Sequence, residues 1–171
     1  MRAGIVLAGG RGRRIGGNKA AIRLDGVTLV DRAVAILQSV GSQPVVVADH
    51  GDDGPLAAML HPLRKLTSAF EVFVLACDLP LAGPAVARLA ELPAGAAIAV
   101  DSYGREQPLC ARWPRAVVLE EVEALVAAGE RRMSALVDAI DPEFVMATAV
   151  ELLNVNTPAD LADAERRTLH G

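Results

Sequence analysis

The chain has 171 residues, 52% of them hydrophobic and only 3% aromatic, with a formal net charge of −4 and a pI of about 5.4. That length and apolar content suit one domain, residues 1–171, with an aliphatic core. The acidic balance excludes nucleic acid as the main partner, and the apolar runs are too short to span a bilayer. Two cysteines, Cys77 and Cys110, stand in no metal-ligand spacing. With no signal peptide read at the N-terminus, they predict reduced thiols in a cytoplasmic protein.

Ala3–Leu7 is a short apolar run that predicts a buried strand. Residues 7–19 follow it with five glycines, three arginines and one lysine. Glycine lets a backbone approach a phosphate closely and turn its N–H groups inward. Arginine and lysine neutralise the phosphate oxygens. The segment reads as a grip for a triphosphate; the alternative, a flexible basic turn, is disfavoured by the dense interleaving of glycine and cation. Leu29, Ala33, Val34, Ile36 and Leu37 then mark one helix face. Val45–Ala48, Val72–Ala76 and Ala97–Val100 predict three more buried strands. Helices are predicted over residues 55–67, 83–92 and 114–128, with Pro55, Pro84 and Pro114 suited to their first turns. Thr157 and Pro158 predict the N-cap and first residue of a final helix.

Strand followed by helix, repeated, predicts an α/β fold of three layers, α/β/α, with a mainly parallel sheet. Ligands of such sheets bind beyond the carboxyl ends of the strands. The loops at residues 8–19, 49–54, 77–82 and 101–106 are therefore the expected places for chemistry.

Three further motifs stand out. Cys77-Asp78-Leu79-Pro80 ends the third apolar run. A carboxylate there, facing a phosphate grip, is suited to hold Mg²⁺, a hard cation often bound by one or two carboxylates and phosphate oxygens. The alternative is that Asp78 caps the turn before Pro80. In Asn154-Val155-Asn156-Thr157-Pro158, two asparagines at i and i+2 share one side of an extended segment. Their amides suit phosphate oxygens or a polar ring edge, although spacing alone favours an Asx turn before a capped helix. Gly129-Glu130-Arg131-Arg132 ends the helix at 114–128. Paired arginines suit a second phosphate, and a solvated helix end is the alternative.

Together these features resemble the molybdenum cofactor guanylyltransferase family over nearly the whole chain. The family's N-terminal pattern is matched by Leu7–Gly10, Arg14, Gly16–Gly17 and Lys19. Gly54-Pro55-Leu56-Ala57, Cys77–Pro80, Gln107-Pro108-Leu109, Gly129–Arg132 and Asn154–Pro158 follow in the family's order. The resemblance implies a nucleotide-binding, Rossmann-like fold and a reaction: the terminal phosphate of molybdopterin attacks the α-phosphorus of GTP, and pyrophosphate leaves. It implies that Leu7, Ala8, Gly9 and Gly10 hold the nucleotide with Lys19 and Asp78. Arg14 and Lys19 would counter phosphate charge, and Asp78 would bind Mg²⁺. Arg131, Arg132, Asn154 and Asn156 would face the acceptor. GTP and molybdopterin are the implied partners, with transient contact to molybdoenzymes or cofactor-biosynthesis proteins. Such transfer asks the protein for alignment and charge stabilisation rather than a nucleophile, so His50, His61 and His170 read as surface or packing residues.

The chain departs from the family in one place. The family carries a segment of roughly twenty residues between its second strand and Gly-Pro-Leu, longer than a typical connection. That segment holds a strand and an aspartate that contacts the nucleotide. Here Val45–Ala48 runs through Asp49–Asp53 directly into Gly54-Pro55, and Ala48 stands where the family has a base-reading asparagine. Asp52 or Asp53 is a candidate substitute, a solvated acidic turn the alternative. Loss of base-edge hydrogen bonds predicts relaxed base choice. Two other functions therefore stand beside guanylyl transfer: nucleotidyl transfer with another triphosphate or phosphorylated acceptor, and a non-catalytic module that binds nucleotide or molybdopterin.

Overall fold

The computed structural model describes residues 1–9, 21–49 and 53–169. Gly10, Arg14, Lys19, His50, Asp52 and His170 lie outside the described residues. Strand β1 (Arg2–Leu7) leads toward the phosphate-grip segment, beyond which β2 (Arg23–Leu24) and β3 (Val27–Thr28) form a small antiparallel hairpin. Its turn is Asp25-Gly26, both at positive φ, as a two-residue hairpin requires. Thr28 then caps helix α1 (Leu29–Ser39), its hydroxyl accepting the Asp31 N–H at 3.0 Å.

Strand β4 (Ser42–Ala48) precedes two short helices, α2 (Gly54–Ala58) and α3 (Leu60–Lys65). The expected single helix over 55–67 is thus broken at Met59. Pro62 has no N–H to donate back to Ala58, so the hydrogen-bond ladder cannot run through. Strand β5 (Glu71–Ala76), helix α4 (Gly83–Glu91) and strand β6 (Ala97–Val100) follow as expected. The chain then turns back through β7 (Glu106–Pro114), a strand the apolar pattern did not predict, before α5 (Arg115–Ala127). Helix α6 (Met133–Ile140) and strand β8 (Glu143–Met146) are also additions to the sequence reading. Helix α7 (Pro158–Thr168) starts at its expected cap: Thr157 and Asp160 form a reciprocal capping box.

The large sheet has the order β4-β1-β5-β7-β6-β8. All neighbours run parallel except β7, which is antiparallel to both β5 and β6. The sheet is therefore mainly parallel, as predicted, with one reversed strand. Side chains alternate across it. Val6, Phe73 and Leu75 face a core completed by Ala33 and Leu37 of α1, Leu89 of α4 and Ala164 of α7. Ile5, Val72 and Val74 face a second core with Leu56, Leu63, Val122 and Leu136 from α2, α3, α5 and α6. Gly4 sits where α1 comes closest: a Cβ there would lie 3.0 Å from both Leu37 Cδ1 and Val45 Cγ2.

Candidate functional site

The switch in strand order lies at β1. The chain leaves β1 through α1 to reach β4 on one side, and returns through α2 and α3 to β5 on the other. Connections diverge at such a point, and a crevice opens beyond the strand ends. The three ends are level, since Leu7 pairs with Ala48 on one side and Ala76 on the other. The Ala8 N–H donates to the Ala48 carbonyl at 2.9 Å, and the Cys77 N–H to the Leu7 carbonyl at 3.0 Å. Leu7 and Ala8 are buried, so what they offer a ligand is the backbone of the strand end rather than side chains.

Asp78 follows β5 at this switch point and is half-buried. The turn carrying it is closed by the Leu79 N–H on the Ala76 carbonyl at 3.2 Å, and Leu79 is buried. The Asp78 carbonyl accepts the N–H of Val155 at 2.9 Å, and Val155 is fully buried. This bond seats the Asn154–Asn156 segment directly against the Asp78 turn. The segment's other anchors come from its ends. Asp160 Oδ2 accepts the N–H groups of Asn156 and Thr157 at 2.9 and 2.8 Å. Upstream, Glu151 accepts the Thr148 N–H at 2.8 Å and pairs with Arg88 of α4 at 2.5 Å. Burial pushes the Glu151 carboxyl up, but the bonds from Arg88 and Thr148 outweigh it and bring it below its ordinary value. Sequence patterning did not reveal Arg88 or Glu151, because their partnership joins elements far apart in the chain.

The arginine pair lies on the other face. Helix α5 runs back to the carboxyl end of the sheet, and residues 129–132 turn there into α6. The Arg131 carbonyl lies 3.5 Å from where a Cβ on Gly54 would stand, and Gly54 itself has φ +85°. The start of α2 and the arginine turn therefore touch. Glu130 Oε1 accepts the N–H groups of Arg131 and Arg132 at 2.7 and 2.9 Å, and its Oε2 accepts Arg132 Nη2 at 2.8 Å. The Arg132 side-chain bond, followed by the two backbone bonds, draws the Glu130 carboxyl down to about 2. The Arg132 side chain is thus engaged by Glu130 while remaining largely exposed, at 76%.

Every expected site segment that is described thus lies at one end of the sheet. Asp78 and the Asn154–Asn156 segment are joined directly, while Arg131 borders Gly54. A cavity of about 400 Å³ opens at the end of β4, lined by Ala48, Asp49, Asp53 and His61 among others. Asp53 precedes α2 without a side-chain cap bond. Strand β4 is the edge of the sheet, with no further strand beside it among the described residues. Among those residues no three His, Cys, Asp or Glu side chains gather as a metal cluster, and no helix is long and apolar enough to cross a membrane.

The fold agrees with known proteins. A "probable molybdenum cofactor guanylyltransferase" of Chloroflexus aggregans is 35% identical, covering 94% of this chain and 92% of the relative. The molybdenum cofactor guanylyltransferase of Rhodobacter capsulatus is 33% identical over 96% and 95% of the two chains. The first alignment extends over 193 positions, more than the 171 residues here, so that relative carries positions this chain lacks. In structure the chain is similar to the molybdopterin-guanine dinucleotide biosynthesis protein A of Archaeoglobus fulgidus, with a TM-score of 0.72, 23% identity and full coverage of both chains. Residues 4–143 match the family model of the MobA-like NTP transferase domain, and the chain belongs to that nucleotidyltransferase family.

Proposed function

We propose that the chain is a guanylyltransferase that moves the GMP group of GTP to molybdopterin, forming molybdopterin guanine dinucleotide. An oxygen of the acceptor's terminal phosphate bonds to the α-phosphorus of GTP, the bond from that phosphorus to the bridging oxygen breaks, and pyrophosphate leaves. The observation that carries this reading is the Val155–Asp78 backbone bond of 2.9 Å. It holds an asparagine pair suited to a phosphorylated acceptor against a carboxylate suited to the nucleotide's metal. The names of the relatives support the same substrates.

In this reading residues 1–171 form one domain. Leu7, Ala8, Gly9 and Gly10 supply backbone at the strand end to the nucleotide. Arg14 and Lys19 balance charge along the phosphates, where fixed cations stabilise an in-line transition state. Asn154 and Asn156 align the acceptor from one side, and Arg131 and Arg132 bound it from the other. The donor set fits Mg²⁺: one carboxylate, Asp78, with no cluster of three ligating side chains among the described residues, leaves a coordination shell for phosphate oxygens and water. When bound, that ion supplies charge neutralisation on the phosphates. Its substrates and working place are cytoplasmic in this reading, with molybdoenzymes as transient receivers of the product.

The test is pyrophosphate release from GTP, Mg²⁺ and molybdopterin. Asp78→Ala and Lys19→Ala are each expected to lower the rate by at least a hundredfold, about 2.7 kcal/mol of transition-state stabilisation. Undiminished turnover in both variants refutes the assignment. A second reading, transfer from another triphosphate, is favoured by β4 standing outermost in the sheet among the described residues and by Ala48 at its end; a panel of GTP, ATP and CTP separates the two.

A further inference from the structure

On the side away from β4 the sheet closes at β8, with no further strand beside it among the described residues. Its bonds to β6 fix which way its peptides point. The Glu143 N–H donates to the Ala96 carbonyl at 2.9 Å, and the Ala147 N–H to the Val100 carbonyl at 2.8 Å. Peptide directions alternate along a strand, so Val145 also faces β6, whereas Phe144 and Met146 turn their N–H and C=O groups outward. The side chains alternate as well. Val145 is buried on the α4 face with Leu89. Phe144 and Met146 lie on the other face, level with Ile98 and Val100 of β6, and are 51% and 59% exposed. Edges that avoid other strands carry lysine, proline or a bulge. Strand β8 contains neither lysine nor proline, and its ladder to β6 runs without a register shift.

A second copy of the chain fits this edge in one register. Two strands related by a two-fold axis across a sheet pair antiparallel, and outward-pointing residues must meet each other. With the axis at Val145, Phe144 lies opposite the partner's Met146 and Met146 opposite the partner's Phe144, and each pair exchanges both N–H···O=C bonds. The neighbouring registers lose donors. With the axis at Phe144, Met146 faces residue 142, a proline without an N–H. With the axis at Met146, Phe144 faces Thr148, whose N–H is already given to Glu151 Oε2 at 2.8 Å. The Met146 carbonyl accepts Arg88 Nε at 3.2 Å and keeps a second lone pair for the partner. The side chains agree with the Val145 register. Each Phe144 ring stands across from a Met146 thioether, a favourable sulfur–aromatic pair. On the α4 face Glu143 lies opposite the partner's Ala147, so no like charges are opposed across the strands. The two Glu143 residues are four strand positions apart, about 14 Å, beyond the screening length at physiological salt.

We propose that β8 is an interface between two copies of this chain, paired antiparallel about Val145, which joins two six-stranded sheets into one continuous sheet. Antiparallel pairing points the carboxyl ends of the two sheets in opposite directions, so both candidate sites stay open. The strand is only four residues long, so the dimer exchanges, with a Kd on the order of 10–100 μM. Sedimentation equilibrium of the full chain is expected to show monomer and dimer interconverting across that concentration range. Two double variants separate this register from general stickiness. Phe144→Lys with Met146→Lys sets lysine opposite lysine and should weaken the dimer at least about tenfold. Phe144→Lys with Met146→Glu sets lysine opposite glutamate in both pairs and should keep the dimer, now weakening as salt rises. Both positions are exposed, so the Tm of each variant at low concentration should match the wild type. Hydrogen exchange of the wild type needs no variant: the Phe144 and Met146 amides should slow as protein concentration rises, while that of Ala147 does not change. A monomer throughout the range, the outcome if the edge serves a different protein or none, overturns the proposal. So does an undiminished dimer in the double-lysine variant, loss of the dimer in the lysine–glutamate variant, or concentration-independent exchange at Phe144 and Met146.

Discussion

Glu130 shows how a single half-buried carboxylate organises a turn. Its two oxygens collect backbone N–H groups from Arg131 and Arg132 and the Arg132 guanidinium, which together draw it down to about 2. A carboxyl depressed in the folded state contributes stability at pH above its ordinary value near 4.5, and that contribution fades as pH falls through about 2. The turn should therefore hold its form through mild acid. Carboxyl-carbon NMR is expected to show Glu130 titrating near 2, and Arg132→Ala should move it up toward the ordinary glutamate range. Ordinary titration in the wild type would mean that the clasp is open in solution. Cys110 is the opposite case: burial pushes its thiol up to about 12, so it stays protonated and unreactive at neutral pH. Cys77 is also buried, and neither thiol is in a disulfide. A disulfide-exchange reagent should label neither quickly in the folded protein and both on unfolding; rapid labelling of Cys110 before unfolding would show that β7 opens locally.

At the scale of elements, β7 is where the sequence was least legible and where stability is most concentrated in one side chain. The strands β1, β5 and β6 announce themselves by continuous aliphatic runs, because both of their faces are covered. Strand β7 is covered too, yet Pro108 and Arg112 interrupt its run. Pro108 is tolerated because the pairing shifts register between Ile98 and Ala99, where ladder bonds are not required of every residue. Arg112 is 1% exposed. It donates to the carbonyls of Gly95 at 3.0 Å and Leu92 at 2.9 Å, and also to that of Pro93. Glu71 lies 3.6 Å from its Nε. No pattern along the chain shows that three carbonyls of the α4–β6 loop await an arginine. Arg112→Met should cost about 3 kcal/mol, the usual result of removing one partner from a buried charged network. That corresponds to a fall in Tm of roughly 6–12 °C for a chain of this size. Thermal unfolding followed by Trp113 fluorescence checks it, and a loss under about 1 kcal/mol would mean that water replaces the guanidinium. The site divides in the same way. Asp78 is legible because a carboxylate at the end of an apolar run stands at a strand's carboxyl end. The small β2–β3 hairpin carried a readable Asp25-Gly26 signal, but its two-residue strands gave no run to flank it.

For the molecule as a whole, the sheet's outer edge governs what the protein can recognise. Guanine, adenine and cytosine differ at their hydrogen-bonding edges, and a site built to pair with one edge rejects the others by about 10⁴-fold, whereas shape alone discriminates by roughly a hundredfold or less. Among the described residues the sheet ends at β4, whose last residue is Ala48. A methyl group at the strand end supplies no edge hydrogen bond. The remaining polar groups of the neighbouring cavity, Asp49, Asp53 and His61, lie at its open surface, where water competes for every bond. In the proposed reading the phosphates are held by groups that follow β1 and β5 in sequence, not by this edge. Triphosphates should therefore bind through a common grip with modest base preference. Calorimetric titration of GTP, ATP and CTP with Mg²⁺ is expected to show GTP ahead by no more than about a hundredfold. A preference near 10⁴-fold would mean that a carboxylate reads the guanine N–H edge after all. Asp53→Asn would then test that, since an amide swaps one acceptor for a donor and clashes with a base edge that only donates.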